Sequence, residues 1–334
     1  YLVGSLGGDP LTTPRLNEYS EQGILFSSFY ASGNRTDKAL PAILSGYPAQ
    51  PAASIIKEPR KTQTLPGIVS TLRQAGYSTS FWYGGDINFA NFNSYLISAG
   101  FQDIVTMDDF DPATYNSKWG VHDHLLLEAL RDSMTTAPDE PFLKVILTLS
   151  SHEPFEVPME TAFEGRDDLT KFRNSVHYAD RSVGEFLDFA TTTEWWDNTL
   201  VILLGDHCRR KSVSDLVYSE DIYKVPMLWL GGALDTAGMK VTATGSQVDL
   251  APTLLSQLGL SGNFTFGKDL FSEQSGSFAY YAFNEGFAFI TDSSRVVYDH
   301  KAGSSVLAEG ASPGTAEKAG KAYLQVLFDD YLGR

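Results

Sequence analysis

The sequence predicts an α/β fold: a mostly parallel β-sheet with helices on both faces, followed by a small C-terminal antiparallel sheet and a helix. Two observations support this prediction. Apolar runs of strand length alternate with helical segments through most of the chain, and such alternation is typical of parallel sheets. Beyond residue 276 the apolar runs are short and lie at hairpin spacing, which indicates antiparallel strands.

Local signals predict the elements in chain order. A helix is expected over Thr13–Gly23, because Pro14 suits a first turn and Gly23 suits a helix end. A strand is expected over Ile24–Tyr30. Further helices are predicted at Thr36–Leu44, Leu65–Ala75, Phe92–Ala99, Val121–Met134, Leu169–Ala190 and Ser246–Leu258. Further strands are predicted at Thr79–Tyr83, Phe142–Leu149, Thr199–Leu204 and Val225–Leu230.

The C-terminal region differs in character from the rest of the chain. Leu260–Gly276 is rich in Gly and Ser and is the expected joint. We therefore expect a main α/β domain over residues 1–265 and a small antiparallel sheet with a terminal helix over 266–334, packed on the same domain. The expected strands and helix of the second part are Phe278–Phe283, Phe287–Thr291, Val296–Tyr298 and Thr315–Tyr331.

Composition excludes several classes of protein. Among 334 residues, 43% are hydrophobic and 20% charged, which is ordinary for a globular chain. The 25 Lys and Arg against 41 Asp and Glu give a net charge of −16, which argues against a protein that coats nucleic acid. Cys208 is the single cysteine, so neither an intrachain disulfide nor a Cys-rich zinc module is possible. No stretch approaches the roughly 20 apolar residues of a membrane span.

One cluster of polar residues opens the helix that begins at Thr36. In open α/β sheets, ligands bind outside the carboxyl ends of the strands, and this cluster follows the strand Ile24–Tyr30. A hydroxyl at a helix N-terminus lies in a positive field that suits a phosphate, and Arg35 and Lys38 add charge beside it. The alternative is that Thr36 is only an N-cap, worth about 1 kcal/mol.

Two more clusters follow apolar strands. Asp206 and His207 come directly after Thr199–Leu204 and could bind one divalent cation through oxygen and nitrogen. The alternative for this pair is a turn Asp with a capping His. His152 follows Phe142–Leu149 and could contact a phosphate or protonate a leaving group, or could be a structural turn residue.

Weaker candidates lie after Thr79–Tyr83 and after His207. Asp86, Asn88 and Asn91 could line a polar pocket, or could serve turns and helix caps. The basic run 209–211 could hold an anionic substrate or could be a solvated loop.

These clusters occur in an order that can be compared with known families. The motifs are Phe29-Tyr30-Ala31-Ser32, Arg35-Thr36-Asp37, Leu44-Ser45-Gly46-Tyr47-Pro48, Tyr83-Gly84-Gly85-Asp86, Gly100-Phe101, Trp119-Gly120-Val121, Ser151-His152-Glu153-Pro154-Phe155, His177-Tyr178-Ala179-Asp180 and Gly205-Asp206-His207. In this order the sequence resembles the lipoteichoic acid synthase family, the phosphoglycerol-transferase branch of the sulfatase and alkaline phosphatase superfamily. The resemblance implies a sulfatase/alkaline phosphatase-like fold.

The resemblance also implies roles for individual residues. Thr36 matches the family's threonine nucleophile, which is also a metal ligand. Asp206 and His207 match the Asp-His pair on the same cation, and His152 matches the histidine that contacts the substrate phosphate. The family's remaining ligand, a Glu, would lie a few residues before Tyr1. Oxygen and nitrogen ligands without sulfur suit Mn²⁺ first, with Mg²⁺ or Zn²⁺ as alternatives.

The function implied is a metal-dependent phosphotransferase or phosphodiesterase acting on an anionic lipid head group or an envelope glycan. Arg35, Lys38, Asp86, Asn88 and Asn91 would join His152 in binding the substrate. The family would place the domain outside the cytoplasmic membrane of a bacterium, tethered by upstream helices, and we expect this fragment to be monomeric.

Two alternatives remain at this point: a sulfatase or phosphate-ester hydrolase on the same fold, and a non-catalytic binding domain.

One departure from the family pattern concerns the substrate. Gram-positive synthases carry His, Trp and Arg near the positions of Gly84, Asn91 and Asn93, so the hypothesis here is that glycerol phosphate is not the preferred head group.

Overall fold

The computed structural model describes residues 1–115, 117–135, 138, 140–209 and 216–334. Within them the α-helices are α1 (Pro14–Ser20), α2 (Thr36–Ser45), α3 (Pro59–Thr62), α4 (Ile68–Gln74), α5 (Phe92–Ala99), α6 (Asp123–Ser133), α7 (Asp168–Ala190), α8 (Glu220–Tyr223), α9 (Leu250–Gln257) and α10 (Pro313–Gly333). The strands are β1 (Ile24–Phe26), β2 (Phe29–Tyr30), β3 (Ser78–Tyr83), β4 (Asp103–Val105), β5 (Phe142–Leu147), β6 (Val201–Leu204), β7 (Met227–Leu230), β8 (Met239–Val241), β9 (Gly245–Ser246), β10 (Phe278–Phe283), β11 (Gly286–Thr291), β12 (Ser294–Asp299) and β13 (Ser304–Gly310).

The strands confirm the α/β class and the separate antiparallel sheet. β4, β3 and β5 form a parallel sheet, and β6, β7, β1 and β8 form a mixed one in the order β6-β7-β1-β8. In the mixed sheet β1 is parallel to β8, whereas β7 is antiparallel to both β1 and β6. The apolar runs did not reveal this reversal, because a buried strand has the same residue pattern in either direction.

The predicted strand Ile24–Tyr30 is divided into β1 and β2. The chain changes partner between them: β1 pairs with β7 and β8, whereas β2 pairs with β9. This division directs the chain after Tyr30 toward the start of α2, where Thr36 lies. The helices agree with the sequence to within a few residues, and Phe92–Ala99 agrees at both ends.

The apolar stripe predicted for the longest helix, α7, is buried at one position and half-buried at the other four; its residues are Phe172, Val176, Ala179, Val183 and Phe186. The buried residues of α7 are Phe172, Asn174, Ser175, Tyr178, Ser182, Gly184, Leu187 and Ala190. The helix packs against both α1 and α6, so small residues are buried where a neighbour comes close. A side chain on Gly184 would meet Arg15 of α1 at 2.6 Å. The carboxylate of Asp180 accepts hydrogen bonds from the backbone of Arg15 and Leu16, at the N-terminus of α1.

The C-terminal strands β10 to β13 form one antiparallel sheet, and α10 packs across it. β13 was not predicted, because its residues are mostly exposed and carry no continuous apolar run. The sheet joins the rest of the protein through a shared core, in which Tyr47 and Ile55 pack with Tyr280 and Phe287. Among the described residues, no helix has both the length and the apolar character needed to span a bilayer.

Candidate active site

Thr36, Asp206 and His207 meet at the carboxyl ends of the strands. Thr36 is the first residue of α2, and Asp206 lies two residues after β6. The Thr36 hydroxyl donates a hydrogen bond to Oδ2 of Asp206 at 2.7 Å. Nε2 of His207 lies 3.5 Å from the same oxygen. Residues about 170 positions apart in the chain thus place a hydroxyl, a carboxylate and an imidazole side by side.

The interpretation of Thr36 as a helix cap is wrong. Arg35 occupies the N-cap position, and its side chain makes no capping hydrogen bond. The Thr36 hydroxyl donates to Asp206 instead of accepting from the backbone. Thr36 is buried, and at the first turn of a ten-residue helix its oxygen lies in the positive field of the helix end.

The two cations beside Thr36 differ in their surroundings. Arg35 is exposed. Lys38 is buried, and its ammonium group donates to the Gln50 carbonyl at 2.8 Å. Burial lowers the pKa of Lys38 to about 8, although Asp37 opposes that shift. The ammonium group of Lys38 is therefore engaged in a hydrogen bond to the loop that contains Gln50.

Gln247 connects the two loops of the site, a role that sequence reasoning missed. Its side-chain amide donates to the carbonyls of Gly205 at 3.0 Å and Asp206 at 2.6 Å. Its side-chain oxygen accepts from the backbone of Ser32 at 2.9 Å. Gln247 is fully buried, so these bonds fix the approach of the Asp206 loop to the segment that leads into α2. Nothing in the local sequence around Gln247 signals this long-range role.

His152 lies next to the central group. Its ring centre is 6.4 Å from that of His207 and 5.5 Å from that of Trp119. Burial lowers the pKa of His152, and the neighbouring His207 lowers it further. A neutral imidazole at this position can donate one hydrogen bond and accept another.

Asp123 holds the loop that carries His152. Its carboxylate accepts hydrogen bonds from the backbone of Leu149 at 2.8 Å and of Ser150 at 3.2 Å. Asp123 is buried, and burial raises its pKa to about 6 despite these bonds. Because the bonded amides lie two and three residues before His152, Asp123 determines where that loop leaves β5.

Asp86, Asn88 and Asn91 form turns. Oδ1 of Asp86 accepts from the Asn88 backbone at 2.9 Å and from its side chain at 3.2 Å. Asn91 has φ of 70° and donates from its side chain to the Ile56 carbonyl at 3.0 Å. Asp86 nevertheless acts on the site through its charge. Burial raises the pKa of Tyr83 to about 12, and the negative charges of Asp86 and Asp206 both add to this rise.

Gly84 lies where no side chain fits. A Cβ there would approach the Val121 carbonyl oxygen at 2.6 Å, and the Val121 amide donates to the Gly84 carbonyl at 2.8 Å. The segment from Trp119 to Asp123 is thus attached to the β3 loop at one end and to the β5 loop at the other.

The basic run after His207 is described only in part, since Arg210 and Lys211 lie outside the described residues. The guanidinium of Arg209 lies 4.8 Å from the ring centre of Phe155 and donates to the Asp168 carbonyl at 3.2 Å.

A separate cavity of about 750 Å³ lies between β2 and the C-terminal sheet. Its lining is rich in Ser and Thr and includes none of the predicted site residues.

The donor set of Thr36, Asp206 and His207 fits a divalent cation that takes oxygen and nitrogen ligands. Nδ1 of His207 is buried and has no hydrogen-bond partner among the described residues, so the imidazole retains binding capacity. Within the described part of the chain, no group of three or more His, Cys, Asp or Glu residues is arranged to hold a metal. Thr36, Asp206 and His207 thus present oxygen and nitrogen donors at one point of the site.

The fold and this site define a class of protein, and solved structures support it. A protein of the alkaline phosphatase superfamily from Vibrio parahaemolyticus superimposes with a TM-score of 0.82, at 28% identity, over 98% of this chain and 84% of that chain. The lipoteichoic acid synthase LtaP from Listeria monocytogenes gives a TM-score of 0.81 at 19% identity, over 97% and 86%. The architecture is that of the alkaline phosphatase superfamily.

Within that class, the chain belongs to the sulfatase family, whose profile matches residues 2–260. The lipoteichoic acid synthase-like protein YvgJ of Bacillus subtilis is 25% identical over 294 residues, covering 80% of this chain and 47% of that protein. Phosphoglycerol transferase I of Xanthomonas campestris pv. campestris is 26% identical over 197 residues, covering 56% and 28%. The chain thus spans about half the length, or less, of these curated relatives. The resemblance stated from the motifs is confirmed.

Proposed function

We propose that the protein transfers a phosphoryl group through Thr36, as a phosphotransferase or phosphodiesterase of the sulfatase family. The observation that supports this most is the 2.7 Å hydrogen bond from the Thr36 hydroxyl to Asp206, beside His207 and at the strand ends. A threonine used only as a cap would not direct its hydroxyl into a carboxylate–imidazole pair.

The first step forms a bond between Oγ1 of Thr36 and the substrate phosphorus. The hydroxyl proton leaves along the existing hydrogen bond to Oδ2 of Asp206, and the bond from phosphorus to the leaving alcohol breaks. The departing alkoxide takes up the proton that Asp206 received, which restores the carboxylate. The phosphoryl group is then carried on Thr36 until a second alcohol, or water, gives its proton to Asp206 and attacks phosphorus. The bond from phosphorus to Oγ1 of Thr36 breaks, and Asp206 returns the proton to that oxygen.

Other residues position and stabilise the transferring group. His152, whose ring centre lies 6.4 Å from that of His207, donates a hydrogen bond to a phosphoryl oxygen. The exposed Arg35 attracts the anionic substrate to the start of α2. Thr36, Asp206 and His207 would hold the divalent cation, with Mn²⁺ preferred and Mg²⁺ or Zn²⁺ as alternatives. When bound, the cation lowers the pKa of the coordinated hydroxyl and screens the charge of the phosphate.

The proposed substrate is an anionic phospholipid head group or an envelope glycan, and the proposed location is the outer side of a bacterial cytoplasmic membrane. The support is the family and the relatives, which are lipoteichoic acid synthases and phosphoglycerol transferases. Gly84, Asn91 and Asn93 support a head group other than glycerol phosphate. Gly84 has no space for a side chain, and the Asn91 amide is engaged with Ile56.

The test is to trap the phosphoryl group on Thr36. The protein is incubated with Mn²⁺ and a 4-nitrophenyl phosphodiester without an added alcohol, quenched in acid and digested. Mass analysis should find a phosphate-containing adduct on the peptide that carries Thr36. Thr36→Ala should give no adduct and no turnover, whereas Thr36→Ser should retain partial activity, because it keeps a hydroxyl.

A matched control is Thr62→Ala, which removes another buried threonine, whose hydroxyl donates to the Pro59 carbonyl at 3.1 Å. Its turnover should equal that of the wild type. Parallel assays with 4-nitrophenyl sulfate and 4-nitrophenyl phosphate rank the two hydrolase alternatives. An active Thr36→Ala protein would end the proposal, and faster turnover of the sulfate ester would reassign the reaction as sulfuryl transfer.

A further inference from the structure

An aromatic surface lies beside His152, and the proposed mechanism does not use it. Trp119 is half-buried, and its ring centre is 5.5 Å from that of His152. Phe89 stands nearly perpendicular to Trp119, with ring centres 6.2 Å apart and an interplanar angle of 75°. Phe89 is 52% exposed, so its ring is accessible to a ligand. We call Trp119 and Phe89 the aromatic corner.

The fold fixes the aromatic corner in place. The indole nitrogen of Trp119 donates to the Glu153 carbonyl at 2.6 Å, which ties the ring to the His152 loop. Phe89 precedes two residues with left-handed backbone, Ala90 with φ of 48° and Asn91 with φ of 70°. The Asn91 side chain anchors that turn to Ile56. Non-glycine residues adopt this conformation at a cost, and such strain is typical of functional sites.

The chemistry around the aromatic corner is mixed. The Lys118 ammonium lies 5.5 Å from the Trp119 ring centre, and Asp86 is in the same turn as Phe89. A long acyl chain needs a continuous apolar groove, which charged groups at this spacing interrupt. A pyranose ring has an apolar C–H face that stacks on an aromatic ring and hydroxyls that bond polar groups at its rim, so it matches this surface.

We infer that Trp119 and Phe89 determine specificity by stacking a sugar ring attached to the phosphate that His152 contacts. This inference rests on the proposed function of the same site and narrows its substrate to a phosphorylated carbohydrate. The His152 ring centre lies 5.5 Å from that of Trp119 and 6.4 Å from that of His207, so a phosphate at His152 can carry a sugar on Trp119 and still lie near the group that contains Thr36.

The kinetic test compares two chromogenic diesters, glucose-6-yl 4-nitrophenyl phosphate and methyl 4-nitrophenyl phosphate. The wild type should prefer the glucosyl diester in kcat/KM. The preference should fall about tenfold in Trp119→Ala, the size expected for one lost aromatic stacking contact. Phe89→Ala should reduce it less, and since Phe89 is exposed this variant folds in any case. The matched control is Phe163→Ala, which removes a ring packed on His177 at 5.7 Å and not on a predicted site residue.

A binding test keeps the inference separate from the proposed reaction. Calorimetry measures binding of glucose 6-phosphate, glycerol 3-phosphate and dihexanoyl phosphatidic acid to the wild type and to Trp119→Ala. Weaker binding of glucose 6-phosphate to Trp119→Ala, with binding of the other two ligands unchanged, supports the inference even if no diester is turned over. Absence of turnover would count against the proposed function alone. An unchanged diester preference, equal weakening of all three ligands, or a larger effect on the lipid would overturn it.

Discussion

Two aspartates at the carboxyl edge of the fold have opposite surroundings. Asp249, at the start of α9, accepts hydrogen bonds from the backbone amides of Ser246 and Lys268 and from the Lys268 ammonium at 2.8 Å. Its side chain is 1% exposed. Asp206 accepts from the Thr36 hydroxyl and from a backbone amide, and its side chain is 30% exposed.

The difference separates a stabilising network from a reactive one. Each carboxylate oxygen of both aspartates has a donor. The Lys268 ammonium offsets the charge of the buried Asp249, although burial still raises the pKa of Asp249. Asp206 has an open side and a neighbour, His207, whose Nδ1 has no described partner. Buried polar groups are normally satisfied, so an unpaired imidazole nitrogen beside the proposed nucleophile points to a ligand. Each prediction below tests whether the two aspartates differ in this way.

The largest effect is expected at Asp206. Asp206→Ala removes the group that holds the Thr36 hydroxyl and one proposed metal ligand. Turnover of a 4-nitrophenyl phosphodiester should fall by about 10⁴-fold, comparable to losing one member of a catalytic unit. Metal analysis after dialysis against Mn²⁺ should show loss of the ion, while circular dichroism shows a folded protein. Retention of a stoichiometric ion would remove Asp206 from the ligand set.

Asp249 should show the reverse pattern. Asp249→Ala leaves the Lys268 ammonium, which is 12% exposed, without its carboxylate. Breaking a buried pair in this way costs about 3–5 kcal/mol of the free energy of unfolding. Urea denaturation measures the loss, and activity per folded molecule should equal that of the wild type. Asp249→Asn, which keeps the shape, should show a smaller loss in the same direction. A normal stability with lost turnover would mean that Asp249 belongs to the reactive group.

Asp123 shares features with both aspartates. Like Asp249 it is buried and accepts hydrogen bonds, and like Asp206 it lies close to a proposed site residue, His152. Its pKa rises from 3.8 to about 6 on folding, so the folded state retains the proton between about pH 4 and pH 6. Its contribution to stability is therefore greatest below pH 4 and falls by up to about 3 kcal/mol as the pH rises through 6.

Urea denaturation of the wild type and of Asp123→Asn from pH 4 to pH 7 measures this contribution. The variant has no titrating group at the position, so its curve should lack this part of the decline. Parallel curves for the two proteins would show that Asp123 does not titrate in this range.

The sequence predicted the site where residues are marked by local pattern. Thr36, Asp206 and His207 each follow an apolar strand, and strand ends gather at one edge of a sheet, so their meeting could be expected. Gln247 and Asp123 could not be found in this way. Their roles depend on backbone groups of distant loops, and a Gln or an Asp near a helix start has no local signature for such contacts.

The same limit applies to the fold. Helices and buried strands were predicted because apolar periodicity reports burial. The antiparallel pairing of β7 and the edge strand β13 were not predicted, because direction and edge position leave no such pattern. The cap interpretation of Thr36 was wrong because the helix begins at Thr36 itself, with Arg35 at the N-cap position, and because the hydroxyl bonds the distant Asp206 carboxylate.

The smallest effect is expected on stability at Thr36, and it completes the comparison of the two aspartates. Thr36→Ala removes one hydrogen bond, to a carboxylate that water can reach, and leaves no backbone donor without a partner. The free energy of unfolding should fall by less than about 1 kcal/mol.

Thr106→Ala is the matched control, since the Thr106 hydroxyl does cap a helical turn by accepting from the Asp108 backbone at 3.2 Å. That change should cost about 1 kcal/mol, the usual value for a lost cap, and should leave turnover intact. A larger loss of stability at Thr36 than at Thr106 would make Thr36 a structural residue like Asp249, and the division between the two networks would fail. A smaller loss, with turnover abolished, places Thr36 on the reactive side, where the chain keeps a polar group for its chemistry and gains little stability from it.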